Sequence, residues 1–200
     1  TAPCCTMRLT GKSRTGCAVI GPADPRIPSL DRAIADGDVL PLGRASVEAM
    51  ATAGHTSMSF CYRVADGQSN SQVVYTGDTL FVGGCGRVLE SDARTMWRSL
   101  QRLAGLPGGT LVCCGHDYTL ENYEFALTIL PGDETIRRRL AEVKETVAAG
   151  RLPVPSTIAQ EKAANVFLRC ADPPVRTALG REDAEAWELF AELRRRKDRF

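Results

Sequence analysis

Residues Thr76–Arg87 read TGDTLFVGGCGR, and the run that feeds them, Gln72–Thr76, reads QVVYT. An apolar, β-branched segment stops at Gly77, and the next residue, Asp78, carries a ligand-type side chain. The same setting occurs twice more. SVEAMAT (46–52) leads through Ala53-Gly54 to His55, and TLVCC (110–114) leads through Gly115 to His116. In each case a strand-like run ends, a glycine allows a tight turn or close backbone approach, and a histidine or aspartate follows. Residues just beyond strand ends converge on one edge of a sheet, where α/β proteins commonly place their sites. Taken singly, such a histidine is more often an ordinary surface or core residue, and an aspartate after glycine a turn residue. The recurrence sets these three apart, because the chain has only two histidines and both stand here. Two imidazoles and a carboxylate suit Zn²⁺ or a facial-triad Fe(II) site.

Outward from these segments, residues 17–116 read mostly as short strands bounded by Gly, Pro and Asp: CAVIG, SVEAMAT, SFCYRV, VVYT, LFV and TLVCC. One helix interrupts them, with Ser91 as the expected N-cap, Met96, Leu100 and Leu103 on its apolar face, and Pro107-Gly108-Gly109 to stop it. After residue 118 the period changes to 3.6. Tyr123, Ala126, Leu127 and Leu130 share a face; Asp133 is placed to cap a helix with the stripe Ile136, Leu140, Val143 and Val147, ended by Gly150. A further helical pattern lies around Glu161–Leu168. A last one runs from about Glu182 with Trp187, Phe190 and Ala191 on its apolar face. Strands first and helices afterwards indicate an α/β body with a helical C-terminal addition.

Two hundred residues can bury a full core without staples. Twenty-five Lys and Arg against 24 Asp and Glu leave a net charge of +1, which argues against a general nucleic-acid or anionic-membrane binder. No apolar run is long enough to span a bilayer. The opening TAPCCTMRLTGKS has no apolar core and does not read as a secretory signal. It has no initiating Met either, so the chain is expected to begin part-way through a longer product. The eight cysteines include no C-x-x-C pair, which removes zinc ribbons and thioredoxin-like motifs. They read as reduced, structural thiols of a cytoplasmic protein.

Four segments, AGHTSMSFCY (53–62), TGDTLFVGGCGR (76–87), CGHDYTLENYEFAL (114–127) and VPSTIAQE (154–161), together resemble the glyoxalase II family, the hydroxyacylglutathione hydrolases of the metallo-β-lactamase superfamily. The resemblance runs from about Thr15 to Phe200. It implies an α/β, metallo-β-lactamase-like αββα sandwich, N-terminally incomplete here, with residues 1–118 as a partial metallo-β-lactamase-like domain and 119–200 as a helical glutathione-binding domain. It implies a two-metal site, zinc with iron or manganese as alternatives, in which Asp78 matches the bridging carboxylate, His55 a ligand of the first ion and His116 a ligand of the second. Metal-bound hydroxide would then hydrolyse S-D-lactoylglutathione to D-lactate and glutathione, a step of methylglyoxal detoxification. For the small-molecule thioester, the resemblance implies Arg87 and Tyr118 as contacts, with Arg194 and Lys197 of RRRKDRF (194–200) holding the glycine carboxylate. Spacing i,i+3 places those last two on one helix face. A monomer is expected.

The family carries a further motif, T-H-x-H-x-D-H, which supplies four ligands. Residues 1–13, where it would fall, contain neither His nor Asp. Each ion would keep two protein ligands, below the three that catalytic zinc sites typically have. A fragment, a misread N-terminus and a pseudoenzyme all account for this, so impaired hydrolysis stands beside a non-catalytic glutathione- or thioester-binding role. A mononuclear His₂Asp site doing iron–oxygen chemistry, as in sulfur dioxygenases of the same fold, is a third reading, against which the hydrolase-like C-terminal segment counts. The sequence departs from the pattern at Leu89 and Ser91, where an aromatic and a glycine are usual, and at Val166, where proline is usual.

Overall fold

The computed structural model describes residues 11–67 and 71–200; Cys4, Cys5 and most of the opening segment lie outside them. β1 (Ile20–Pro22) and β2 (Arg32–Ile34) pair in parallel as a small sheet. β3 (Val39–Leu42), β4 (Ala45–Ala51), β5 (Phe60–Asp66) and β6 (Gln72–Gly77) are successive antiparallel neighbours. β7 (Leu80–Phe81) and β8 (Gly84–Cys85) form a second small hairpin. β9 (Leu111–Cys114) joins β6 in parallel, and β10 (Ser156–Thr157) pairs with β9. The resulting six-stranded sheet has the order β10-β9-β6-β5-β4-β3.

One consequence of this topology places the site. β4 and β6 are each antiparallel to β5, so they run in the same direction, and β9 is parallel to β6. The C-terminal ends of all three strands therefore reach the same edge of the sheet. The three glycine-led segments follow those three ends.

From residue 93 onward the helices are α1 (Ala93–Ala104), α2 (Thr119–Ile129), α3 (Glu134–Ala148), α4 (Ile158–Ala164), α5 (Pro173–Leu179) and α6 (Ala186–Lys197). On α1, Met96, Leu100 and Leu103 are buried at the expected spacing, but the cap is Asp92 rather than Ser91: its carboxylate accepts from Thr95 N at 2.7 Å. The helix ends at Ala104, capped by Gly105, before the Pro107 stop is reached. Truncating that cap by Asp92→Ala is expected to lower stability by about 1 kcal/mol, read as a smaller urea midpoint at unchanged slope.

Asp133 caps α3 as expected, accepting from Ile136 N, while Val147 at the far end of the stripe is exposed. α6 starts at Ala186, four residues later than Glu182, and buries Leu189, Phe190 and Leu193; Trp187 and Ala191 are only partly covered. The helix expected around Glu161–Leu168 is α4, shifted towards the N-terminus. A single apolar cluster runs from Met50 and Val74 in the sheet through Leu100 and Phe125 to Phe190 and Leu193. The C-terminal helices thus share one core with the strands.

Candidate active site

His55, Asp78 and His116 meet at the sheet edge. His55 Nε2 lies 3.5 Å from Asp78 Oδ2, and His116 Nε2 lies 3.4 Å from Asp78 Oδ1. The carboxylate stands between the two imidazoles, with one oxygen towards each. His55 Nδ1 is 2.9 Å from the Arg87 carbonyl oxygen. A carbonyl can only accept, so Nδ1 donates, and in the neutral ring the Nε2 lone pair is left facing Asp78.

The glycines show why this setting recurs. Gly77 has φ +50°, and Gly115 N donates to Gly77 O at 2.8 Å, locking the turns after β6 and β9 together. A Cβ on Gly115 would stand 2.9 Å from Asp78 Oδ1, and one on Gly54 would stand 2.2 Å from Met96 Sδ. Behind them is a set of buried threonines that the sequence reading did not single out. Thr76 Oγ1 donates to Leu80 O at 2.7 Å, Thr79 Oγ1 reaches Thr52 O and Oγ1 at 3.4 Å, and Thr52 Oγ1 contacts Cys61 Sγ at 3.1 Å. Thr52 and Thr79 thereby tie the His55 turn to the Asp78 turn. Ser99 on α1 adds a bond of 2.6 Å from Oγ to Ala53 O. The visible signal was a threonine within two residues of Gly54 and Gly77 (Thr52, Thr76 and Thr79), a residue whose hydroxyl can replace a missing backbone partner.

All seven singled-out residues line one cavity of about 500 Å³. Arg87 is exposed and makes no ion pair among the described residues. Tyr118 packs edge-on against Phe81 at 5.4 Å between ring centroids and lies 5.7 Å from the His116 ring. Lys197 donates from Nζ to Glu121 O at 3.0 Å and sits 5.5 Å over the Phe125 ring; partial burial pulls its pKa down. Arg194 is more constrained than its sequence position suggested. It is buried, donates to Cys85 O at 2.9 Å and pairs with Asp198 at 3.0 Å. Much of its fork is already engaged in holding β8 against α6.

Among the described residues the cavity lining includes Cys85 and no serine. Burial pushes the Cys85 thiol up to about 11, so it carries little thiolate at neutral pH and is a poor nucleophile.

Residues 6–116 match the metallo-beta-lactamase superfamily model, and residues 117–200 match that of the hydroxyacylglutathione hydrolase C-terminus. The chain is 45% identical over 197 residues to the hydroxyacylglutathione hydrolase of Rhizobium johnstonii, covering 98% of this chain and 75% of that one. It is also 45% identical over 191 residues to the hydroxyacylglutathione hydrolase of Brucella anthropi, covering 94% and 72%. The chain belongs to the hydroxyacylglutathione hydrolase family. Among solved structures, ETHE1 from Myxococcus xanthus superposes with a TM-score of 0.57 at 25% identity over 91% of this chain and 65% of that one. A metallo-beta-lactamase from Staphylococcus aureus superposes at 0.56 and 16% identity, over 92% and 50%, which bears on the fold alone. The chain spans about three quarters of the length of these hydroxyacylglutathione hydrolases and less than two thirds of the ETHE1 structure.

The superfamily implies divalent-metal binding, and the geometry can be tested against it. Two ligands about 2.0–2.1 Å from one tetrahedral zinc stand roughly 3.3 Å apart. The two imidazole–carboxylate separations, 3.5 and 3.4 Å, match such an edge and are long for hydrogen bonds. The donors fit in kind and in spacing. They do not fit in number: each carboxylate oxygen has one imidazole, and no group of three or more His, Cys, Asp or Glu among the described residues is arranged to hold an ion.

Proposed function

We propose that the cavity takes an S-acylated glutathione, S-D-lactoylglutathione first among them, and hydrolyses it to D-lactate and glutathione. The observation that carries this is the placement of the His55–Asp78–His116 trio and the four carrier-binding candidates Arg87, Tyr118, Arg194 and Lys197 around one cavity. In the reaction, water adds to the thioester carbonyl, the C–S bond breaks, and the sulfur leaves as a thiolate that takes up a proton. Arg87 and Lys197 supply cations for the two carboxylates of the carrier, and Tyr118 offers a hydroxyl beside His116. Arg194, held by Asp198, shapes the wall more than it supplies free charge.

In this reading the trio, carried by residues 1–118, faces the thioester, and residues 119–200 hold the carrier. Zinc, with iron or manganese as alternatives, is the metal that suits two imidazoles and a carboxylate. With two donors per ion among the described residues, the donor set falls short of what such an ion needs. The setting we assign is a monomer in the cytoplasm; among the described residues no helix is long and apolar enough to cross a membrane.

The incomplete donor set favours a second reading, in which the cavity binds glutathione or its thioesters without turnover. The test is hydrolysis of S-D-lactoylglutathione by the purified, zinc-supplemented chain beside His116→Ala. Turnover that falls about 100-fold or more in the variant is expected, as for loss of a group acting directly on the reacting atoms. Saturable glutathione binding with no turnover in either protein would overturn hydrolysis and establish the binding role.

A further inference from the structure

Glu90 lies outside the cavity lining, in a surface segment after Arg87, and its carboxylate joins three parts of the chain. Oε2 accepts from both the backbone N and the Oγ of Ser57, each at 3.1 Å. Oε1 accepts from Arg26 Nη1 at 2.5 Å. Arg26 is itself held by Asp24, whose carboxylate oxygens accept from Nε at 3.0 Å and Nη2 at 2.8 Å. Both acids are held below their ordinary pKa, Glu90 first by the Ser57 N–H and then by Arg26, Asp24 by the Arg26 guanidinium.

These bonds matter because of where they fall. The turn that carries His55 and the segment that follows β8 are joined by the bond from His55 Nδ1 to Arg87 O. One hydrogen bond between two loops leaves them free to pivot about it. Ser57 is two residues beyond His55 and Glu90 three beyond Arg87, so the Ser57–Glu90 contact is a second link between the same two segments. Two links fix a relative orientation that one cannot. As a surface ion pair, Glu90–Arg26 adds little stability; what it adds is geometry.

We infer that Glu90 is the positioning residue for His55: with Arg26 and Ser57 it clamps the His55 turn to the Arg87 segment and so holds the imidazole with Nδ1–H on the Arg87 carbonyl and Nε2 towards Asp78. The inference rests on the reading of His55 as a working group of the site. It touches neither substrate nor reacting atoms itself.

The chain has two histidines, which makes the test direct. Long-range ¹H–¹⁵N spectra of the folded protein at neutral pH resolve the tautomer of each imidazole without requiring turnover. In the wild type His55 is expected to show a single Nδ1–H tautomer. Glu90→Ala is expected to remove that signature, because a released imidazole favours the proton on Nε2, and to leave His116 unmoved. Glu90→Gln keeps a neutral acceptor for Ser57 and is expected to restore the His55 signature. If Glu90→Ala does not fold, Arg26→Ala cuts the other end of the clamp at an exposed position, and a partial His55 change with His116 unmoved is expected. An unchanged His55 spectrum in the folded variants, or equal changes at both histidines, would overturn the role. Thioester hydrolysis is measured separately on the same samples: a chain without turnover that still shows the His55-specific change loses the proposed function and keeps the positioning role.

Discussion

Gly86→Ala is expected to destabilise the protein by about 3 kcal/mol or more and to abolish whatever the site does. A Cβ at this position would stand 1.9 Å from the Asp78 carbonyl oxygen and 3.2 Å from His55 Nδ1. The first contact is with backbone, which cannot rotate out of the way as a side chain can. Relief requires moving the Asp78 turn, and that turn is held by Thr79 N on Thr76 O at 3.0 Å and by Gly86 N on Thr79 O at 3.3 Å. Overpacking of a tight site usually costs about 1–3 kcal/mol, and a backbone clash belongs at the upper end or beyond. Gly132→Ala is the control, since a Cβ there meets nothing within 4 Å. Denaturant unfolding of the two variants should separate them clearly. A Gly86→Ala protein as stable as the control would show that the loops carrying Asp78 and His55 are not packed as described.

That glycine was visible in the sequence, but its partner was not. The three G-[HD] settings were legible because each follows an apolar run, and the direction shared by β4, β6 and β9 turns three similar local patterns into one place. The close approach of Gly86 to Asp78 depends on the β7–β8 hairpin folding back, which no local spacing encodes. Neighbouring polar residues made the cap ambiguous by one position: Ser91 and Asp92 both have capping side chains, and the carboxylate wins. α5 opens on Pro173-Pro174, which reads as loop, yet proline suits the first turn of a helix, where its missing N–H has no partner to lose. β2 and β3 are short and largely exposed, so they lack the alternation that marks a half-buried strand. Arg194 was legible as a cation on the correct face; its engagement with Cys85 and Asp198 is a tertiary fact.

Glu161 is the residue the sequence hid most completely. In AQEKAAN it has the look of a solvated helix charge, yet it is fully buried, and its surroundings are set by Gly83, far away in the chain. Its Oε2 accepts from Gly83 N and from Asn165 Nδ2, each at 2.9 Å. Oε1 has no hydrogen-bond partner, and Ser156 Oγ, also without one of good geometry, faces it closely enough to act on its pKa. Burial raises that pKa above the ordinary 4.5, against the smaller pull of Ser156, Asn165 and Gly83. Between the unfolded and the raised folded pKa the native state binds more protons than the unfolded chain, so stability falls as pH rises through that window. Two variants divide the contributions. Glu161→Ala removes the acceptor from the Gly83 N–H and opens a cavity at the junction of α4 with the β7–β8 turn; a loss of about 2–4 kcal/mol is expected where the wild-type carboxyl is protonated, shrinking as pH rises through its raised pKa. Glu161→Gln keeps the acceptor on that N–H, places an amide where Oε1 had no partner, and removes the titration. It should equal or exceed the wild type in stability at neutral pH, with the advantage shrinking as pH falls towards 4.5. Unfolding midpoints of the three proteins at several pH values decide the matter. A Gln variant weaker than the wild type by the same amount at every pH would mean that burial of this carboxyl imposes no cost of ionisation.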